Sequence, residues 1–62
     1  MKDVNYMTET DKNVFSIQVV RGAWVEYPLN MVDAFVDRKS ITYQHAANFL
    51  REFYQRNMEV TS

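Results

Sequence analysis

The chain has 62 residues, a formal net charge of −1 and no cysteine. This length fits one domain at most, and without cysteine neither disulfide bridges nor cysteine-ligated zinc sites can form. No apolar run approaches the ~20 residues of a transmembrane helix and no basic-then-apolar leader begins the chain, so we expect a cytoplasmic protein that does not contact membranes.

Residues 1–12 are mostly polar and show no apolar period. This pattern is typical of a flexible N-terminal arm, which Tyr6 and Met7 could pin to the rest of the protein. Residues 13–62 then form a single small α+β domain.

Residues 14–27 are rich in β-branched and aromatic side chains and predict a β-hairpin around Gly22. A three-residue loop, Val20–Gly22, places Gly22 in the left-handed conformation that glycine tolerates best. This register pairs Val19 with Ala23, Ile17 with Val25 and Phe15 with Tyr27, all on one face of the hairpin. The other face then carries Ser16, Gln18, Trp24 and Glu26.

Residues 30–39 follow a proline that ends the second strand, and they predict a short helix with Asn30 as its N-cap. Arg38 and Lys39 fall in its last turn, where the helix dipole favours cations. A third strand is the competing interpretation, because the apolar run Met31–Val36 is short and partly β-branched.

A second helix begins after a cap at Ser40 or Thr42 and runs to about Asn57. Its apolar residues recur at spacings of three and four, with Phe49 on the flank of the stripe. A hairpin followed by two helices predicts a two-layer ββαα fold.

Enzyme chemistry has little support in this sequence. Gly22 is the only glycine, so the chain has no glycine-rich phosphate loop, and His45 is the only histidine. Asp33 and Asp37 lie one helical turn apart, but two carboxylates supply too few oxygens for Mg²⁺ or Ca²⁺. We therefore expect no catalytic site, cofactor, metal ion or small-molecule substrate.

The polar face of the second helix suggests one binding function. Amide and arginine side chains form bidentate bonds with base edges, and cations of the preceding turn could contact phosphates. The candidate DNA-contact residues are Gln44, Asn48, Arg51, Gln55, Arg56, Arg38 and Lys39. The order strand, helix, helix resembles that of the ribbon-helix-helix regulators, which are obligate dimers, although the extra strand Ala23–Tyr27 departs from their pattern. A dimeric, sequence-specific DNA-binding transcription regulator is therefore the alternative hypothesis.

The favoured hypothesis is a small non-enzymatic regulator or inhibitor that binds another protein. Trp24 falls on the polar face of the hairpin, and tryptophan is enriched at the energetic centres of protein interfaces. Phe49 is the second aromatic residue that has no place in the predicted core. Gln18 and Glu26 flank Trp24 on its face of the hairpin. These four residues are the partner-binding candidates.

Hydrophobic residues make up 47% of the chain, which is a heavy apolar load for so small a domain. Domains of this size bury a smaller fraction of their surface and often gain stability by forming oligomers. We therefore expect a homodimer. Either Val14–Val19 or Ala23–Tyr27 could pair with the same strand of a second copy.

Overall fold

The computed structural model describes residues 3–61, with side chains described for residues 3–57. Three strands precede two helices: β1 (Tyr6–Glu9), β2 (Val14–Val20), β3 (Ala23–Pro28), α1 (Leu29–Lys39) and α2 (Tyr43–Thr61), with a 3-10 turn at Thr10–Lys12. The strands form one antiparallel sheet in the order β1-β2-β3. The α+β class and the order of hairpin and helices are thus confirmed, and residues 30–39 are helical rather than a third strand of the hairpin.

The sequence predicts two strands, and the structure corrects this number to three. The additional strand, β1, lies within residues 1–12, the segment expected to form a flexible arm. Tyr6 pairs with Ile17 of β2, and Val4 just before the strand is buried in the core. A strand of four residues has too few alternations to be detected from sequence, and it forms because an edge of β2 offers unpaired backbone groups.

The predicted β2–β3 hairpin is confirmed along most of its length. Phe15 lies opposite Tyr27 and Ile17 lies opposite Val25, as the alternation of apolar and polar residues indicates. Trp24 is adjacent to Val25 along β3, so its side chain lies on the opposite face of the sheet.

The turn of this hairpin differs from the prediction. Val20, rather than Val19, lies opposite Ala23, so the loop is the two residues Arg21–Gly22. The extra residue is accommodated as a β-bulge at the end of β2, which leaves the Val19 side chain buried. Gly22 has a φ of +79°, the left-handed conformation that the sequence predicts.

The first turn of α1 is capped by a residue distant in sequence, and the prediction of Asn30 as N-cap is wrong. The backbone N–H of Leu29 donates to the carbonyl oxygen of Asn13 at 3.0 Å, and the N–H of Asn30 donates to Asn13 Oδ1 at 2.8 Å. Asn13 has a φ of 55°, a conformation that asparagine tolerates better than most residues. Two of the four free N–H groups at the start of α1 are thus satisfied by the residue that precedes β2.

The connection between the helices contains a Schellman motif. Ser40 has a φ of 55°, and the N–H of Ile41 donates to the carbonyl oxygen of Val36 at 3.1 Å. Of the two predicted caps of α2, the structure has Thr42, whose Oγ1 accepts a hydrogen bond from the N–H of His45 at 3.1 Å. The tight turn brings α2 back across the sheet.

The core lies between β2 and the two helices. Its buried hydrophobic side chains are Val4, Phe15, Ile17, Val19, Leu29, Val32, Ala46 and Ala47. The adjacent alanines of α2 are small, so this helix can approach β2 closely. The backbone of α2 continues to Thr61, beyond the predicted end near Asn57.

Three aromatic rings join β1, β2 and α2 at one end of the core. The Tyr6 and Phe15 centroids are 5.4 Å apart, and those of Phe15 and Tyr43 are 5.8 Å apart. The Tyr43 hydroxyl also donates a hydrogen bond to Asp33 of α1. Tyr6 therefore anchors β1 to the face of the sheet that packs against the helices, which we call the covered face.

Candidate protein-binding surface

One face of the sheet packs against the helices, and we call the opposite face the open face. Its side chains, in the rows set by strand pairing, include Asn5, Gln18 and Trp24, then Met7, Ser16 and Glu26. Trp24 is 45% exposed and Met7 is 53% exposed. Two large apolar side chains thus lie on a surface that no described part of the chain covers.

Ser16 is the central residue of this face and is 5% exposed. It lies opposite Met7 on one side and Glu26 on the other. A small side chain between larger neighbours loses its solvent contact, so Ser16 is covered in the middle of the open face, in the row next to that of Trp24.

Gln18 is held in place by Asn5, on the side of the sheet where β1 lies. Its N–H donates to the carbonyl oxygen of Asn5 at 2.9 Å, and the Asn5 side-chain amide donates to Gln18 Oε1 at 3.0 Å. Gln18 lies opposite Trp24 in the β2–β3 pairing. This candidate residue therefore forms a fixed, polar edge to the Trp24 site.

The charges of this face are acidic. The three strands contain Glu9 and Glu26 but no lysine or arginine. Glu9 forms an exposed ion pair with Lys12 at 3.9 Å, and among residues 3–57 this is the only ion pair. Glu26, opposite Ser16, is exposed and has no cationic partner within that part of the chain.

Phe49, the second predicted aromatic contact, does not share a surface with Trp24. It lies on α2, where it stacks on Phe35 of α1 with ring centroids 5.6 Å apart. Phe53, one turn further along α2, is also half exposed. Trp24 and Phe49 therefore belong to separate apolar surfaces, one on the open face and one in the helix layer.

Two of the candidate DNA-contact residues have a structural role that the sequence did not reveal. Gln44 Nε2 donates to the carbonyl oxygen of Val4 at 2.7 Å, and Asn48 Oδ1 accepts the N–H of Val4 at 2.8 Å. Asn48 Nδ2 also contacts Asp3 Oδ1 at 3.3 Å. These amides hold the residues before β1, and their place on the polar face of the predicted helix gives no sign of this contact.

The other candidate DNA contacts are divided between two regions. Arg51 and Gln55 line a groove on α2 together with Asn48 and with the carboxylates of Asp3 and Glu52. Arg56 is exposed nearby, while Arg38 and Lys39 lie exposed at the end of α1. The two carboxylates make this groove less suited to phosphate than its arginine suggests.

His45 lies exposed in the first turn of α2. Within the described residues, no three His, Cys, Asp or Glu side chains lie close enough together to hold a metal ion. Over the same part of the chain, neither helix is long and apolar enough to span a bilayer.

Comparison of the chain with protein-family models, with curated proteins and with solved structures found no match. Function therefore has to be argued from the surface itself.

Proposed function

We propose that this protein is a small non-enzymatic regulator or inhibitor that acts as a homodimer and binds another protein through the open face. The observation that carries the proposal is Trp24, which is 45% exposed on the open face in the row next to Ser16. Tryptophan supplies a large contact area at a low cost in side-chain entropy.

The surroundings of Trp24 support this assignment. Met7 adds a second apolar side chain, and Gln18 and Glu26 form a polar rim. An apolar centre with a polar rim is the usual anatomy of a protein interface. The backbone below it is a three-stranded sheet, so the surface is rigid before binding and little ordering entropy is lost.

The charge of the face indicates the kind of partner. Glu26 is unpaired within the described chain, and none of the strands contains a basic residue. A partner surface with apolar side chains and at least one lysine or arginine would complement it. Nucleic acid fits this face poorly, because phosphates would meet carboxylates without cations.

The test compares two aromatic truncations. Immobilised wild type, Trp24→Ala and Phe49→Ala are incubated with lysate of the organism that encodes the chain. We expect a protein that wild type and Phe49→Ala retain and that Trp24→Ala releases. With that partner purified, Trp24→Ala should raise the Kd by roughly thirtyfold or more, the effect of losing an interface hot spot.

Two results would contradict the proposal. Equal retention of the partner by all three proteins would remove the open face from binding. The second is binding of a specific DNA duplex that weakens steeply with salt and is lost in Arg51→Ala and Gln55→Ala. That result would favour the alternative function, a DNA-binding regulator. Thermal unfolding of each variant controls for loss of the fold.

A further inference from the structure

The outer edge of β3 is the place where a second copy can extend the sheet. β2 is the central strand and pairs with β1 and β3, so the predicted pairing of Val14–Val19 with a second copy is blocked. Within the part of the chain that the structure describes, β1 and β3 each keep one free edge. β3 has six residues and β1 has four, so β3 offers the longer ladder.

The direction of the backbone groups in β3 follows from one hydrogen bond. The N–H of Gln18 donates to Asn5, so the backbone of Gln18 points toward β1. Directions alternate along a strand, and Ile17 therefore points toward β3, where it faces Val25. Val25 thus points inward, and the N–H and C=O groups of Trp24 and Glu26 point outward to the free edge.

The sequence of β3 is complementary to itself about Val25. If two copies pair antiparallel with Val25 opposite Val25, Trp24 lies opposite Glu26 of the second copy. These are the residues whose backbone groups point outward, so each Trp24–Glu26 pair can exchange two hydrogen bonds. Ala23 then lies opposite Tyr27, which places a small side chain beside a large one.

Packing favours the same arrangement, and this register keeps like charges from lying directly opposite each other. The β3 side chains on the covered face are Ala23, Val25 and Tyr27, and all three are only partly buried, whereas Phe15 and Ile17 of β2 are fully buried. A further strand would cover them. The two Glu26 side chains would be diagonal neighbours rather than directly opposed, which avoids the closest approach of like charges.

We propose that the dimer forms by antiparallel pairing of β3 with β3 of a second copy, centred on Val25. This inference rests on the homodimer in the proposed function and specifies its interface. It joins two three-stranded sheets into one continuous sheet, and both open faces lie on the same side of it. A dimeric partner could then be bound by two Trp24 sites at once.

Proline substitution at each free edge tests the choice of edge. Glu26→Pro removes an outward N–H that the protomer does not use, so the fold should persist. Thr8→Pro makes the same change at the outward position of β1, and Glu26→Gln removes the charge but keeps the N–H. By sedimentation, Glu26→Pro should weaken dimerisation at least ~tenfold, and the other two should behave as wild type.

Cysteine cross-linking tests the register, in a chain that has no cysteine of its own. Val25→Cys should form an intermolecular disulfide under mild oxidation, since it faces itself across the interface. Ala23→Cys should not, because it faces Tyr27. A mixture of Ala23→Cys and Tyr27→Cys should cross-link as a heterodimer.

The possible outcomes separate this inference from the proposed function. A dimer unaffected by Glu26→Pro, or equally affected by Thr8→Pro, overturns the choice of β3. Cross-linking of Ala23→Cys as strong as that of Val25→Cys overturns the register. A monomeric wild type at high micromolar concentration overturns the dimer itself, whereas a monomeric wild type whose partner is still released by Trp24→Ala leaves the open face as the binding surface.

Discussion

The two faces of the sheet differ in what they do, although the same strands carry both. On the covered face, Phe15 and Ile17 are fully buried against the helices. On the open face, Trp24 and Met7 keep about half of their surface in solvent. A side chain that water already reaches adds little to stability, so the covered face holds the fold together and the open face is free to serve binding.

The largest effect should come from removing the centre of the covered face. Phe15→Ala should cost about 3–5 kcal/mol, because it leaves a cavity under two helices. This is comparable to the whole stability of a domain of this size, ~0.05–0.15 kcal/mol per residue. Chemical denaturation measures the loss, and we expect the variant to be largely unfolded in buffer.

Trp24→Ala is the matched control on the open face. It removes a larger side chain from a neighbouring strand, yet it should cost under about 1 kcal/mol, the range of a cross-strand pair. If both variants lost the same free energy of unfolding, the division of the two faces into stability and binding would be wrong.

A smaller effect is expected at the cap that holds α1 over the covered face. Asn13→Ala removes the Oδ1 acceptor of the Asn30 N–H and should cost about 1–2 kcal/mol. Asn13→Asp keeps an acceptor at the helix N-terminus, where negative charge is favourable, and should lose much less. A thermal melt of each variant decides this, and equal destabilisation by alanine and aspartate would argue against capping.

The parts of the fold that the sequence predicted are those set by local patterns. Alternation in residues 14–27 predicted the two faces of the hairpin, and with them the exposure of Trp24. Helix α2 and its cap at Thr42 were predicted from equally local patterns, an apolar period and a single capping residue. A pattern of period two or 3.6 is repeated many times, so it survives one misplaced residue, such as the bulge at Val19.

Apart from the hairpin loop and the end of α2, the errors involve residues that act over long distances in the sequence. Asn13 caps a helix that begins at Leu29, and Gln44 and Asn48 bind Val4 from the far end of the chain. No periodic pattern marks such contacts. The candidate site shows the same limit, because placing Phe49 relative to Trp24 requires knowing which face of the sheet the helices cover.

The smallest expected effect is a pH dependence at the aromatic edge of the covered face. The hydrogen bond from Tyr43 to Asp33 raises the pKa of the Tyr43 hydroxyl above its usual 10.0. Since folding raises this pKa, its contribution to stability is complete below pH 10.0 and is lost as the pH rises through the folded value. A tyrosinate would lose the donated proton and face the Asp33 carboxylate.

Tyr43→Phe isolates this contribution, because it keeps the ring against Phe15 and Tyr6 but has no proton to lose. We expect the melting temperature of wild type to fall more steeply above pH 10.0 than that of Tyr43→Phe. The variant should still show some decline, since burial also raises the pKa of Tyr27. Ultraviolet titration of tyrosinate identifies the groups involved, and parallel alkaline declines in the two proteins would exclude Tyr43. If the ionisation of Tyr43 and Tyr27 accounts for the whole fall in melting temperature, the alkaline sensitivity lies on the covered face. The open face carries no tyrosine in any strand.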